Sequence, residues 1–337
     1  MPKATSRWSA VWIGLAVAAA AATWAGCDKQ GARGPGGSAR PKLAGIVFQE
    51  DQFFRLVVFG MQDAARKGGA ELFVANHNNR PEREIELINT YIARKVDAII
   101  ITPTSAKGSL AALKKAHDKG IAIIVHNTPV DSDLPAAQSD CSPENLGVKT
   151  GQAARKYITE KMGGKANIAI LGFRSQLAEQ SDARTNGFKK QLEGLDGVKI
   201  VAEQDAWLPE MAVRKVGDIL TAHPEVDLVW SANEGGTVGS VLAVRNAGKA
   251  GKIVVFGTDA SEQLLSFLQA DDNVLQAITS QRPVEVGEMA VQTALKVLRK
   301  EPFEKRVSLK GILLSRTDPA GVKAFEKQLK EWIARGS

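Results

Sequence analysis

The sequence predicts an α/β protein of two similarly built lobes, each a parallel sheet with helices on both faces. From residue 43, short apolar runs alternate with segments whose apolar residues recur at three- and four-residue spacing. Strand–helix alternation of this kind calls for a parallel sheet covered by helices. The alternation pauses over the polar stretch 129–145 and then restarts, which suggests a second lobe of the same build. A length of 337 residues is enough for two ordinary domains, and 44% apolar with 24% charged residues is a globular composition.

In the first half, strands are expected at 43–48, 71–75, 98–102 and 121–126, with helices at 53–67, 82–94 and 107–119 between them. Lys67-Gly68 and Lys119-Gly120 read as helix stops, a base in the last turn followed by glycine. Pro81 opens the second helix, where its missing N–H is no loss. In the second half, strands are expected at 166–171, 198–202, 228–231, 253–257 and 274–279. Helices are expected around Tyr157 and at 182–195, 210–222, 237–247, 262–269 and 284–300. Residues 306–309 and 312–315 read as short extended pieces, and 319–334 as a closing amphipathic helix.

The N-terminus reads as an export signal over residues 1–26: Lys3 and Arg7, then an uncharged apolar run from Val11 to Ala22, then small residues before Cys27. The competing reading is a membrane-spanning helix, but a span wants about 20 apolar residues and this Ala-rich run is shorter. Residues 27–42 read as a flexible tether, since 31–40 is rich in glycine and nearly free of apolar side chains. The net charge of +7 is concentrated at this end. Six of the 44 bases and one of the 37 acids lie in residues 1–42, leaving 38 against 36, or +2, for the rest. The basic balance therefore does not argue for nucleic acid. With Cys27 set aside, Cys141 has no intramolecular partner and reads as a small packed residue.

Ligands of open parallel sheets bind beyond the carboxyl ends of the strands. The residues at those ends are Gln49 to Phe54, Thr102 to Ser105 and His126 to Thr128, then Trp207, Asn233-Glu234, Thr258-Asp259 and Gln281. No cluster of metal-type ligands stands out, and no metal or cofactor is expected. The set suits a neutral polyol, whose hydroxyls donate and accept while its C–H faces need flat apolar cover. Phe53, Phe54 and Trp207 would be the covers, and Arg184, Asn233, Asp259 and Gln281 the polar contacts. Some of them have a plainer reading: Phe53-Phe54 as core, Arg184 as a solvated helix residue, Asp259 as a cap for a helix starting near Ser261.

Several segments, in this order and spacing, resemble the ribose-type (type I) periplasmic sugar-binding proteins of ABC transporters. They are Gln52-Phe53-Phe54, Val96 through Pro103, Ala183-Arg184-Thr185-Asn186-Gly187-Phe188, Thr221-Ala222-His223-Pro224, Asn233-Glu234, Val254 through Asp259 and Gln281-Arg282-Pro283. The resemblance covers nearly all of 43–315. It implies two Rossmann-like lobes joined by a hinge of three crossovers, near Asp140, just after Gln281 and near Lys310. The lobes would be 43–140 plus 282–310 and 141–281 plus 311–337. It also implies sugar-contacting positions at Phe53, Phe54, Arg184, Trp207, Asn233, Asp259 and Gln281, with Asp51 where the family has a ligand-touching Asn. After the fourth strand the ribose binders carry Asp-Arg, whereas this chain has Asn127-Thr128. That change removes two charges and side-chain volume, so spare room and weak ribose binding are expected there. Trp24-Ala25-Gly26-Cys27 resembles the bacterial lipoprotein box, departing at Trp24, and implies acylation of Cys27.

The expected function is an extracytoplasmic solute-binding protein that captures a sugar or polyol by hinge closure and delivers it to an ABC permease. It would be a monomer, held by its lipid on the periplasmic side of the bacterial membrane, with no nucleic-acid partner. A sensing role, with the closed form docking a chemoreceptor or kinase, fits the same residues. An enzyme is the more distant alternative. Gly235-Gly236-Thr237-Val238-Gly239 has two of the three glycines of a dinucleotide fingerprint, but Glu234 stands where the first is needed. Asp51, Glu234 and Asp259 could be imagined as the carboxylates of a glycan-cleaving enzyme.

Overall fold

A computed structural model describes residues 40–336. The predicted signal, Cys27 and nearly all of the predicted tether lie outside the described residues.

The first sheet draws on β1 (Lys42–Val47), β2 (Glu71–Asn76), β3 (Ala98–Ile101), β4 (Ala122–His126) and β5 (Ala137–Cys141). Between them run α1 (Gln52–Gly68), α2 (Pro81–Ala93) and α3 (Leu110–His117). The second sheet draws on β6 (Lys165–Gly172), β7 (Gly197–Asp205), β8 (Leu228–Ser231), β9 (Val254–Thr258) and β10 (Leu275–Ser280). Its helices are α4 (Pro143–Lys161), α5 (Arg174–Lys190), α6 (Pro209–Ala222), α7 (Glu234–Asn246) and α8 (Glu262–Gln269). The chain closes with α9 (Pro283–Arg299), β11 (Arg306–Leu309), β12 (Ile312–Ser315) and α10 (Pro319–Gly336).

Strand order is β11-β5-β4-β3-β1-β2 in one sheet and β12-β10-β9-β8-β6-β7 in the other, the same plan twice. Every pairing is parallel except the edge strand β12 against β10. The chain passes between the sheets three times: after Cys141, after Ser280, and between Leu309 and Ile312. The central strands read AIII (98–101) and LVWS (228–231), every residue buried, as strands covered on both faces must be. α10 packs on α8 and β12 and also reaches α1 of the first lobe.

Helix pairs flank the sheets at close range. In the first lobe α1 lies on α9, and in the second α4 lies on α5. Glycine permits both approaches. A Cβ at Gly60 would stand 2.1 Å from the Val284 carbonyl oxygen, and one at Gly147 would stand 1.9 Å from that of Arg184.

Two elements differ from expectation. β5 falls inside the polar stretch that read as irregular. Its sequence, AQSDC, has no apolar run, yet it pairs with both β4 and β11. Buried Gln138 is accommodated because its amide exchanges hydrogen bonds with the backbone of Val130, at 2.7 and 3.0 Å. α5 begins at Arg174, eight residues before the expected start, and breaks at Leu177 (φ −144°, ψ 87°). The early turn has no helical apolar period, so nothing in its pattern marks it as helix.

Candidate functional site

The carboxyl ends of both sheets open on one cleft of about 290 Å³ between the lobes. It is lined by nine of the ten expected residues: Asp51, Phe53, Phe54, Asn127, Arg184, Trp207, Asn233, Asp259 and Gln281.

The tenth, Thr128, does not line it. Asn127 takes a left-handed conformation (φ 63°), and the amide of Thr128 bonds back to the His126 carbonyl at 2.7 Å, which turns the side chain aside. Gln180 of α5 reaches this end of β4. Its side-chain amide donates to the Asn127 carbonyl at 3.0 Å and to the Thr128 hydroxyl at 3.1 Å.

Several polar side chains of the cleft are fixed by hydrogen bonds to the backbone or to one another. Asp51 caps α1, accepting from the Phe54 amide at 2.8 Å and from the Gln49 side chain. Burial raises its carboxyl above the ordinary range, opposed by those two donors and reinforced by Asp259. Asn233 caps α7 through Oδ1, and its Nδ2 donates to the Trp207 carbonyl at 2.9 Å, fixing the loop that carries Trp207.

Asp259 sits at φ 74°. It is not the cap of α8, which is Ser261. Its carboxylate accepts from the Glu234 amide at 2.9 Å and from the Gln281 side chain, and lies 3.7 Å from Arg184. Arg184 is fully buried, not a solvated helix residue. Its Nη1 donates to the Ala232 carbonyl at 2.8 Å, and its guanidinium carbon lies 5.1 Å from the centre of the Phe173 ring. Among the described residues its buried Nε has no hydrogen-bond partner. The plainer reading of Phe54 holds in part: it is buried and stacks on Phe48 at 5.9 Å, while Phe53 is half-buried.

Sequence reasoning missed Phe173, Gln176 and Gln180 as lining residues, and it placed Gln49 at a strand end without giving it a contact. Gln176 and Gln180 lie on either side of the break at Leu177, ahead of the expected helix start, where the sequence carries no periodic signal. Glu234 was placed at a strand end and in a segment of the resemblance, but was given a role only in a rival reading. It lines the cleft, and burial with Asp259 and Asp51 nearby pushes its carboxyl up to about 7, against a hydrogen bond from Ser261. Gly239, one of the two glycines of the incomplete dinucleotide fingerprint, has a packing reason: a Cβ there would lie 2.4 Å from the Pro209 carbonyl oxygen.

Aromatic faces, amides, a buried guanidinium and carboxylates, converging from two lobes on one cleft, define a protein that encloses a small polar solute. Residues 46–302 match the periplasmic binding protein domain family, and the chain belongs to it. It is similar to the ABC transporter periplasmic-binding protein YphF of Escherichia coli K12, 27% identical over 299 residues spanning 86% of this chain and 88% of that one. It is also similar to the ribose import binding protein RbsB of the same organism, 28% identical over 258 residues spanning 75% and 83%. Among solved structures, an ABC transporter periplasmic solute binding protein from Actinobacillus succinogenes 130z with bound D-allose superimposes with a TM-score of 0.77 at 26% identity, covering 84% of this chain and all of that one. A solute binding protein from Bacillus halodurans C-125 with bound myo-inositol has the same fold, with a TM-score of 0.77 at 23% identity, covering 87% and 99%. Among the described residues, no helix is long and apolar enough to cross a membrane.

Proposed function

We propose that this protein captures a sugar or polyol between its lobes by hinge closure and delivers it to an ABC permease. The observation that carries the reading is the cleft itself: polar groups fixed by second partners, interleaved with aromatic rings, at the carboxyl ends of both sheets. The relatives named for ribose import and the solved protein with bound D-allose support the substrate class. In this reading Phe53 and Trp207 cover C–H faces, while Asp51, Asn127, Arg184, Asn233, Asp259 and Gln281 bond hydroxyls. Thr128 acts only through Gln180. The moving bodies are 43–140 plus 282–310 and 141–281 plus 311–337.

Residues 1–26 act as an export signal and Cys27 is acylated, so that 27–42 tether a monomeric binding protein to the periplasmic side of the membrane. Detergent partitioning that persists in Cys27→Ser would refute the lipid anchor.

The test of function is a thermal-shift screen of pentoses, hexoses and polyols. A ligand at a hundred times its dissociation constant stabilises by about 2.7 kcal/mol. A hit should also shrink the radius of gyration in small-angle scattering, as hinge closure requires. A saturating ligand that leaves the radius unchanged would defeat the hinge mechanism.

A further inference from the structure

The charged side chains that line the cleft do not balance. Three are carboxylates, Asp51, Glu234 and Asp259, and one is a guanidinium, Arg184. Arg184 stands 3.7 Å from Asp259, so that pair is matched. Asp51 and Glu234 have only neutral donors: the Phe54 amide and Gln49 for the first, Ser261 for the second. Arg55 acts on Asp51 from α1, but it is exposed and does not line the cleft.

The two unmatched carboxylates come from opposite lobes. Asp51 begins α1 and Glu234 begins α7. The positive ends of those helices explain why each carboxylate is tolerated locally. They do not explain why two like charges face one solute-sized space that closure removes from water. A neutral hydroxyl calls for hydrogen-bond partners but not for a net negative charge. A cation between the carboxylates turns their repulsion into attraction, and the aromatic rings of Phe53 and Trp207, which line the same cleft from opposite lobes, are surfaces that accept an ammonium group. Burial and the neighbouring carboxylates hold Glu234 up at about 7, as expected of an acid whose counter-charge comes with the ligand.

We propose that the solute is a sugar or polyol carrying a primary ammonium group, which lies between Asp51 and Glu234 while Arg184 and Asp259 take hydroxyls. This rests on the reading of the cleft as a sugar or polyol site and narrows it.

The test uses calorimetry and thermal shift on the whole mature protein at neutral pH. The probes are D-glucosamine, D-galactosamine and 1-amino-1-deoxysorbitol, each beside its neutral parent and its N-acetyl derivative. At least one amine should bind about tenfold or more tighter than its parent, the usual scale of a charge-assisted hydrogen bond. N-acetylation, which removes the charge, should abolish the advantage. The isosteric variants Asp51→Asn and Glu234→Gln should each cost the amine about tenfold more than they cost its neutral parent. A merely structural role would weaken both alike. If a neutral sugar or polyol saturates the protein and no amine surpasses its parent, the ammonium proposal is overturned and the sugar site stands. If neither amines nor neutral sugars and polyols bind, both fail.

Discussion

Gln180 donates its side-chain amide to the backbone carbonyl of Asn127 over 3.0 Å, joining the second lobe to the end of β4 in the first. Two neighbours make the same crossing. Gln176 donates to the Gln49 side chain at 3.3 Å, and Leu177 packs on the cluster of Val47, Phe48 and Phe54. The break in α5 thus supplies a clasp across the cleft, made where the lobes are together.

Removing the clasp should weaken closure. Gln180→Ala deletes two neutral hydrogen bonds, each worth about 0.5–1.5 kcal/mol net. Ligand affinity should fall by about tenfold, and the scattering change on ligand addition should need more ligand. The melting temperature without ligand should move little. Unchanged affinity in Gln180→Ala would show that the clasp is equally made in the open form.

Arg184 should affect both binding and stability. Its burial, its bond to Ala232, its ring contact with Phe173 and its place beside Asp259 tie it into the second lobe. Breaking a buried charge pair from one side typically costs about 3–5 kcal/mol, though Gln281 and the Glu234 amide still serve Asp259 and should soften this. Arg184→Met should therefore lower the melting temperature by several degrees and abolish measurable binding. Arg184→Lys should recover more stability than affinity, because an ammonium keeps the charge but loses the planar fork. A stable Arg184→Met with intact affinity would show that the fork is idle.

Most of the fold was legible because buried parallel strands write themselves as apolar runs. The segments around Ile99 and Val229 could hardly be anything else. β5 was not, because its stability comes from flanking strands and from Gln138 meeting Val130, neither of which leaves a local pattern. The site divided in the same way. Arg184, Asn233 and Asp259 follow strand ends or sit in recognisable segments, so position alone pointed to them. Gln180 could not be found that way, since its role depends on a helix break and on a backbone carbonyl more than fifty residues away. Thr128 was misplaced because the left-handed turn at Asn127 is invisible in a strand-end pattern.

Two buried histidines should tie stability to pH. His77 and His126 lie on either side of Thr102, His77 donating to its carbonyl at 2.8 Å and His126 standing 3.1 Å from its hydroxyl. Glu84, itself buried, is 3.9 Å from His77. Burial, and for His126 the neighbouring His77, favours the neutral rings, holding His126 at about 3. Unfolded histidine takes a proton near 6.5, so the unfolded chain binds more protons between those values. Stability from His126 is fully present above pH 6.5 and is lost as pH falls towards 3, by up to about 1.4 kcal/mol per unit. Raised acids such as Glu234 work in the opposite direction between 4.5 and about 7. The clean measurement is therefore the difference in slope of melting temperature with pH between the native protein and His126→Asn. Equal slopes would mean that His126 is already charged in the fold.

Cys141 should be inert in the native state. It is buried at the end of β5, and burial pushes its thiol up to about 12. A thiol-disulfide reagent needs the thiolate. Labelling should follow unfolding by denaturant, and stoichiometric labelling of the native protein would contradict this packing.

Two glycines in helices should respond to alanine with opposite signs. Glycine in a helix interior is ordinarily about 1 kcal/mol worse than alanine, so substitution alone favours the helix. At Gly217 in α6 an added Cβ meets nothing within 4 Å, and Gly217→Ala should raise the melting temperature. At Gly147 the same atom would lie 1.9 Å from the Arg184 carbonyl oxygen and 2.9 Å from the Phe188 amide nitrogen. Both obstacles are backbone, so no side chain can swing aside; α4 and α5 must separate. Separation opens the buried layer around Phe188, which stacks on Trp230 at 4.5 Å, and it moves the helix that aims Arg184 at the cleft. Overpacking of this kind costs about 1–3 kcal/mol, enough to reverse the helix gain. Gly147→Ala should therefore melt lower and bind more weakly, although residue 147 lines no part of the cleft. Parallel melting curves and titrations of the two variants decide the matter. A Gly147→Ala protein as stable and as tight-binding as Gly217→Ala would show that the α4–α5 contact is looser than these distances require.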